Sequence, residues 1–393
     1  MKNCLVNYAA NENNVNWENI IKRKKPLYKR NNDIRSEFER DYTRVIHSTA
    51  YRRMKHKTQV FFSPQNDHIC TRVEHVTHVE SISYTIAKYL GLNIELTKAI
   101  ATTHDIGHSP FGHQGEKILS EISKRDMGES FWHEKNGLDM VEKIELIEDP
   151  NGNKQNLNLT YAVRDGIISH CGEIDENRLK PRSEFINLDE YKKPNQFAPY
   201  TWEGCVVKIA DKISYLGRDI ADAITLGILD KDLSELYEIL NHNSNKVINN
   251  TTIINDLIYD LCNHSNSEDG LCFSHEMCSM INSLKRFNYQ KIYLSDKVIE
   301  STHYFKLVLN SIYDLLKDSF HNKEKARKVC PELVNDFEDW LKNYWNLERY
   351  NDNKNDIIFN IEEEKDCCKA IIYYISGMTD NYAMEMYDKM IGF

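Results

Sequence analysis

Apolar residues recur along most of the chain at the three-to-four spacing of helices that bury one face. Val76, Val79, Ile82, Ile86, Tyr89 and Leu90 trace one such face, and Gly91 is placed to stop that helix. Asn93 can then cap the next segment, IELTKAIATTHD. Trp202, Val206, Ile209, Ile213, Leu216, Ile220 and Ala223 give the longest unbroken helical stripe. Period-two alternation is scarce, and VFFS at 60–63 reads as a short hairpin strand. Segments 148–160 and 180–200 are polar and turn-rich, so both read as loops, the second as a flap near a site. Helical patterns continue past residue 226 in LSELYEIL and FEDWLKNYW, with polar connections at 241–251 and 263–270. The pattern predicts an all-α protein with few or no short strands. It divides into an N-terminal arm over 1–34, a catalytic bundle over 35–225, and a helical C-terminal region over 226–393 packed on that core.

Composition narrows the class. Of the 393 residues, 41% are hydrophobic and 28% charged, as expected of a soluble globular protein with a sizeable core. No run approaches a membrane span, and MKNCLVNYAANENNVNW lacks the apolar centre of a signal peptide, so a cytoplasmic protein is expected. The ten cysteines include no C-x-x-C pair, which points to reduced, mostly buried thiols. A net charge of -10 argues against general attraction to nucleic acid. Residues 1–60 nevertheless carry 14 Lys/Arg against 6 Asp/Glu. IKRKKPLYKR (21–30) reads as a basic arm, and Arg52–Lys57 as an anion-binding surface.

The chemistry concentrates in His104–Glu116, HDIGHSPFGHQGE. His104 and Asp105 end one predicted helix, His75 opens the preceding one, and Asp211 lies within the 202–224 stripe. Two imidazoles and two carboxylates are a hard-to-borderline donor set. It suits Mn, Mg, Fe or Co, with Zn behind them, and leaves positions open for water. Asp211, Tyr215 and Asp219 share a polar face of an otherwise apolar helix, and so need partners. If a helix begins near residue 112, His113 and Glu116 are i, i+3 neighbours, and the carboxylate fixes the imidazole as a general acid/base.

The H…HD…D set resembles the HD superfamily of metal-dependent phosphohydrolases, and more specifically its deoxyguanosine-triphosphate triphosphohydrolase-like branch. RSEFERDYTRVIHSTAYRRMKHKTQVF (35–61), TRVEHVTHVESIS (71–83), HDIGHSPFGHQGE, LNLTYAVRDGIISHCGE (157–173), ADKISYLGRDIADA (210–223) and YYISGMTDNYAMEMY (373–387) are similar to that branch's blocks, in order. His78 stands where an acid is common, and Ser109 replaces a frequent proline. His78 could add a second metal position, or be a surface or supporting residue.

The resemblance implies an HD-domain helical bundle that hydrolyses deoxynucleoside triphosphates, dGTP first, to deoxynucleoside and tripolyphosphate. It implies that His75, His104, Asp105 and Asp211 hold the metal, and that His113 manages the proton, steadied by Glu116. His108, Arg72, His133 and Lys212 would contact the triphosphate, His108 beside the catalytic pair. Gln59, Tyr215 and Asp219 would read the sugar. The basic excess of residues 1–60, with Arg72 and Lys212, would focus cations on the anion. A dNTP or single-stranded DNA effector and a homo-oligomer, hexameric by analogy, are further expectations. Two rival readings use the same residues: an HD phosphodiesterase acting on cyclic or alarmone nucleotides, and a catalytically silent nucleotide sensor.

Overall fold

A computed structural model of the chain describes residues 3–28, 33–62, 66–171, 177–229, 233–240, 250–345 and 358–392. Its longer helices are α1 (Glu37–His47), α2 (Arg72–Leu90), α3 (Ile94–Thr103), α4 (Gly112–Met127), α5 (His133–Asp139), α6 (Tyr161–Ser169) and α7 (Trp202–Thr225). They continue with α8 (Asn250–His264), α9 (His275–Phe287), α10 (Asp296–His321), α11 (Pro331–Leu341), α12 (Glu364–Ser376) and α13 (Asp380–Ile391). The protein is all-α, as its periodicity predicts. No helix among the described residues is long and apolar enough to cross a membrane.

Local signals set several boundaries as expected. Gly91 ends α2 with φ +84°, and the Asn93 side chain accepts from the amides of Glu95 and Leu96 to start α3. The α7 stripe from Trp202 to Ala223 is buried throughout. Tyr89 departs from its predicted face by remaining half-buried.

Other expectations are corrected. The one hairpin among the described residues lies within and beside the segment read as a loop. β1 (Leu146–Glu148) pairs antiparallel with β2 (Lys154–Asn156), and Asp149 accepts from the amides of Asn151 and Asn153 across the turn. Residues 61 and 62 are irregular, Thr58 forming only an isolated bridge with Thr71, and Ser63 lies outside the described residues. Segment 180–200 is fastened down rather than a flap: Arg182 pairs with Asp165, and Ile186, Leu188 and Tyr191 are buried. Residues 3–28 do not extend away as an arm. Leu5, Ala9, Ala10 and Ile20 join the main core, and Arg23 bridges Glu37 and Asp41. Lys29 and Arg30 of the basic run, and residues 241–249 of the 241–251 connection, lie outside the described residues.

Apolar packing divides the chain differently from its sequence order. α2, α3, α6 and α7 enclose one core. Phe111 and the α4 residues Ile118, Leu119 and Ile122 belong to a second core with α10, α11 and α12. The helix after HDIGHSPF is therefore held by the C-terminal region, while the HD pair is held by the first core. Between the cores the backbone passes α5 so closely that a Cβ at Gly107 would sit 2.1 Å from the His133 carbonyl oxygen and 2.2 Å from the Gly137 nitrogen. Backbone on both sides leaves little room to relax, so Gly107→Ala is expected to cost about 3 kcal/mol or more. Denaturant unfolding checks this; a midpoint within error of the wild type would refute the close approach.

Candidate metal centre and its cavity

The donors converge from three helices. His75 Nε2 lies 3.0 Å from Asp211 Oδ1 and 3.5 Å from Asp105 Oδ2. His104 Nε2 lies 3.5 Å from Asp105 Oδ1 and 3.8 Å from Asp211 Oδ1. Three of these four spacings match polyhedron edges of about 3–3.5 Å around an ion with bonds of about 2.1 Å, and the His104–Asp211 spacing is slightly longer.

The imidazole tautomers bear on whether an ion fits. His104 Nδ1–H donates to the Ala101 carbonyl at 2.7 Å, which turns an Nε2 lone pair inward; that atom is fully buried and has no partner. Ser214 Oγ donates to the Asp211 carbonyl and can accept from His75 Nδ1–H at 3.1 Å, directing His75 Nε2 the same way. In this arrangement two lone pairs and two carboxylates face one another with no donor between them, which a divalent cation would satisfy. Burial pushes the Asp105 carboxyl up, but His104, Arg72 and His108 outweigh it and hold it well below the usual carboxylate range. Burial lowers His104 to about 4, so its ring is neutral and free to ligate.

A second imidazole group stands beside this quartet. His108 and His133 stack with centroids 3.8 Å apart, and His108 Nε2 reaches Asp105 Oδ1 at 3.3 Å. Glu116 serves two histidines: it lies 3.2 Å from His113 Nδ1 and 3.0 Å from His133 Nδ1, and it also accepts the His133 amide. The expected His113–Glu116 pair is present, but Glu116 is anchored mainly to buried His133, while the His113 side chain is 63% exposed. Burial, Arg72 and His133 press the His108 pKa well down. For His133 burial acts the same way, but Glu116 and Glu134 overcome it and raise the pKa well above its ordinary value.

The sequence-predicted residues other than His104 and Glu116 all line one cavity of about 420 Å³, a volume within the range of small-molecule sites. Arg72 is already engaged: its guanidinium meets Asp105 at 2.7 Å and donates to the Thr58 and Gln59 carbonyls. Asp219 accepts from Tyr293 at 2.5 Å, and burial raises its pKa to about 6. His78 is half-buried, does not line this cavity, and belongs to no metal-capable group among the described residues.

Lining residues left unassigned in the sequence include His170, Cys171 and Tyr293. His170 and Cys171 lie in the quoted ISHCGE stretch, where they could have been noticed; Tyr293 lies in a region without a motif. The expected anion-binding surface over Arg52–Lys57 is corrected in part. Arg53 pairs with Glu145, and buried Lys57 donates to the His108 and Ser376 carbonyls, so neither faces the cavity.

The C-terminal signature also serves the site. Phe111, just before α4, adopts φ +62°, a costly conformation for a bulky residue. Its amide donates to Asp380 Oδ1, its ring stacks on Phe305 at 4.2 Å, and Asp380 Oδ2 accepts the Thr58 amide. Asn136 joins the Gly107 carbonyl to Ser376 Oγ. The turn bearing His108 and His113 is thus held from the far end of the chain.

An HD domain model matches residues 72–216, the span from Arg72 through the quartet to Leu216. Curated relatives called deoxyguanosinetriphosphate triphosphohydrolase-like protein match most of the chain. The one from Caldanaerobacter subterraneus subsp. tengcongensis is 34% identical, covering 91% of this chain and 86% of its own. That from Desulfatibacillum aliphaticivorans is 35% identical over 75% and 77%, and that from Clostridium tetani 32% over 91% and 86%.

Two expectations follow from this geometry. His104→Ala should weaken divalent-ion binding, read by calorimetry with Mn2+, by more than about 100-fold; unchanged affinity would remove His104 from the donor set. Asp380→Ala strands two backbone amides and should cost about 2–4 kcal/mol. Hydrogen exchange should then quicken at Phe111 and Thr58, and unchanged protection there would exclude the clamp.

Proposed function

Because the chain belongs to the deoxyguanosinetriphosphate triphosphohydrolase-like family of HD-domain hydrolases, we propose that it cleaves deoxynucleoside triphosphates, dGTP first among them, to deoxynucleoside and tripolyphosphate. The observation that carries this reading is the buried quartet of facing acceptors beside a row of imidazoles in a nucleotide-sized cavity. His75, His104, Asp105 and Asp211 would hold the ion, with Mn, Mg, Fe or Co all compatible with two nitrogens and two oxygens. A bound divalent ion supplies Lewis acidity at a phosphoryl oxygen and makes water nucleophilic near neutral pH.

The remaining roles belong to the chain's own side chains. His133, kept cationic by Glu116, offers positive charge at the inner wall, where triphosphate oxygens would lie. Lys212 adds a cation on the same cavity. His108 stacks on His133 and positions it. Arg72 acts chiefly through Asp105, fixing that carboxylate and the Gln59 backbone instead of reaching out to the phosphates. His113, at the mouth, delivers a proton to the departing 5′ oxygen, and Glu116 sets its tautomer. Gln59, whose Oε1 is buried without a partner, with Tyr215 and Asp219, accommodates the sugar. Tyr293 joins them by holding Asp219.

Incubating the protein with each dNTP and Mn2+ or Mg2+ in 18O-water tests the reaction. The expected products are deoxynucleoside and tripolyphosphate in equal amounts, with label in the tripolyphosphate. Monophosphate with pyrophosphate would mean a different bond is cleaved, and no turnover with any dNTP would favour a nucleotide sensor. In the same assay His113→Ala should lower kcat by about 10²–10⁴-fold while leaving Mn2+ affinity intact.

A further inference from the structure

The inner wall of the cavity holds a second donor group, of which the proposed reaction uses only His133. One donor atom each from His133, His170 and Cys171 lies within 4.8 Å of the others, and Cys171 Sγ is 3.2 Å from His133 Nε2. Both rings are oriented from behind. His133 Nδ1 is held by Glu116 and His170 Nδ1–H by the Ile167 carbonyl at 2.7 Å, which directs each Nε2 forward. His170 Nε2 is buried 3.6 Å from Asp105 Oδ1, too far for a hydrogen bond, and makes none; His170 as a whole is 2% exposed. The turn bearing His170 and Cys171 is fixed by Lys208, whose ammonium donates to the carbonyls of Ser169 and Cys171 and to Asn195 Oδ1.

We propose that His133, His170 and Cys171 form a second metal site, selective for a thiophilic divalent ion of the Zn2+ or Cd2+ class. Donor chemistry separates it from the neighbouring quartet. Two imidazoles and a thiolate are a soft set that Mg2+ and Mn2+ bind poorly, whereas the quartet supplies two carboxylates and no sulfur. On binding, the Cys171 thiol and the His133 imidazolium each release one proton to solvent, and the freed sulfur and Nε2 bond to the ion, with no change of oxidation state. The Glu116–His133 contact is the carboxylate–imidazole support common behind zinc ligands. An ion held there would also withdraw His133 from a substrate anion. That consequence rests on the reading of the preceding subsection; the binding itself does not.

The test therefore reads binding without turnover. The full-length protein, saturated with Mg2+, is titrated with Cd2+ and followed by the sulfur-to-cadmium charge-transfer absorption in the ultraviolet. The expected result is a saturable band, complete at one equivalent, that Cys171→Ser abolishes and His170→Gln shifts to at least about 10-fold higher Cd2+. An unchanged first-equivalent band in Cys171→Ser would overturn the proposal, whatever the enzyme does to nucleotides. Should a variant misfold, the wild-type chain decides alone. One equivalent of Cd2+ should slow maleimide labelling of Cys171, mapped by mass spectrometry, at least about 10-fold, and equal labelling with and without the ion would overturn it.

Discussion

The carboxylate of Asp105 is the point on which the site turns. It lies in the turn just after α3, almost fully buried, and five side chains reach it: Arg72, His75, His104, His108 and His170. A buried carboxylate without compensation would be protonated, with its charge lost. Here Arg72 neutralises it from α2, and the imidazoles surround its remaining lone pairs. The consequence is structural as well as chemical. Arg72 can make that bond only if its other nitrogens are satisfied, and the Thr58 and Gln59 carbonyls satisfy them. One ion pair thus ties the loop before α2 to the HD dipeptide and sets the cavity wall where Gln59 sits.

The same arrangement explains why a signature at the end of the chain belongs to a site near its beginning. The α4 helix buries its apolar face not in the core that holds Asp105 but against α10 and α12. The turn between His104 and His113 therefore spans two cores. It passes through the unfavourable Phe111 conformation, which packing against Phe305 and the Asp380 hydrogen bond compensate. Lys57 extends the joint, linking the His108 carbonyl to Ser376 with an ammonium that burial lowers to about 7.

What was legible in the sequence was whatever depends on neighbours a few residues away. The Gly91 stop, the Asn93 cap, the start of α4 and the apolar stripe of α7 are local preferences or a period, and each stands as expected. The convergence of His75, His104, Asp105 and Asp211 could be anticipated because a motif carries tertiary information that composition lacks. The hairpin was missed although EDPNGN holds its turn chemistry, because its strands are three residues long and alternate weakly. Glu116 was given to His113 by its i, i+3 spacing, but its stronger attachment to His133 comes from a helix 17 residues away. Tyr293 was invisible for the same reason: nothing near it in the chain announces Asp219, and only packing joins them.

Charge is where the sequence-level expectation needs most revision. A triphosphate carries close to four negative charges, and the basic excess of residues 1–60 seemed the means of balancing them. Most of the placed cations there are spent elsewhere: Arg23 on Glu37 and Asp41, Arg44 on the Leu157 and Asn156 carbonyls, Arg53 on Glu145, and Lys57 on carbonyls. Arg72 is neutralised by Asp105, and Lys208 holds the turn at Cys171. With Asp105 paired to Arg72, and against Asp211 and Asp219, the cavity's other cationic groups cannot balance such an anion unaided. For the triphosphate substrate proposed above, a divalent ion in the quartet and a protonated His133 would then be requirements of charge as well as of mechanism. On that reading the cavity would favour a polyanion only when an ion comes with it, and occupancy of the quartet would be coupled to affinity for the nucleotide.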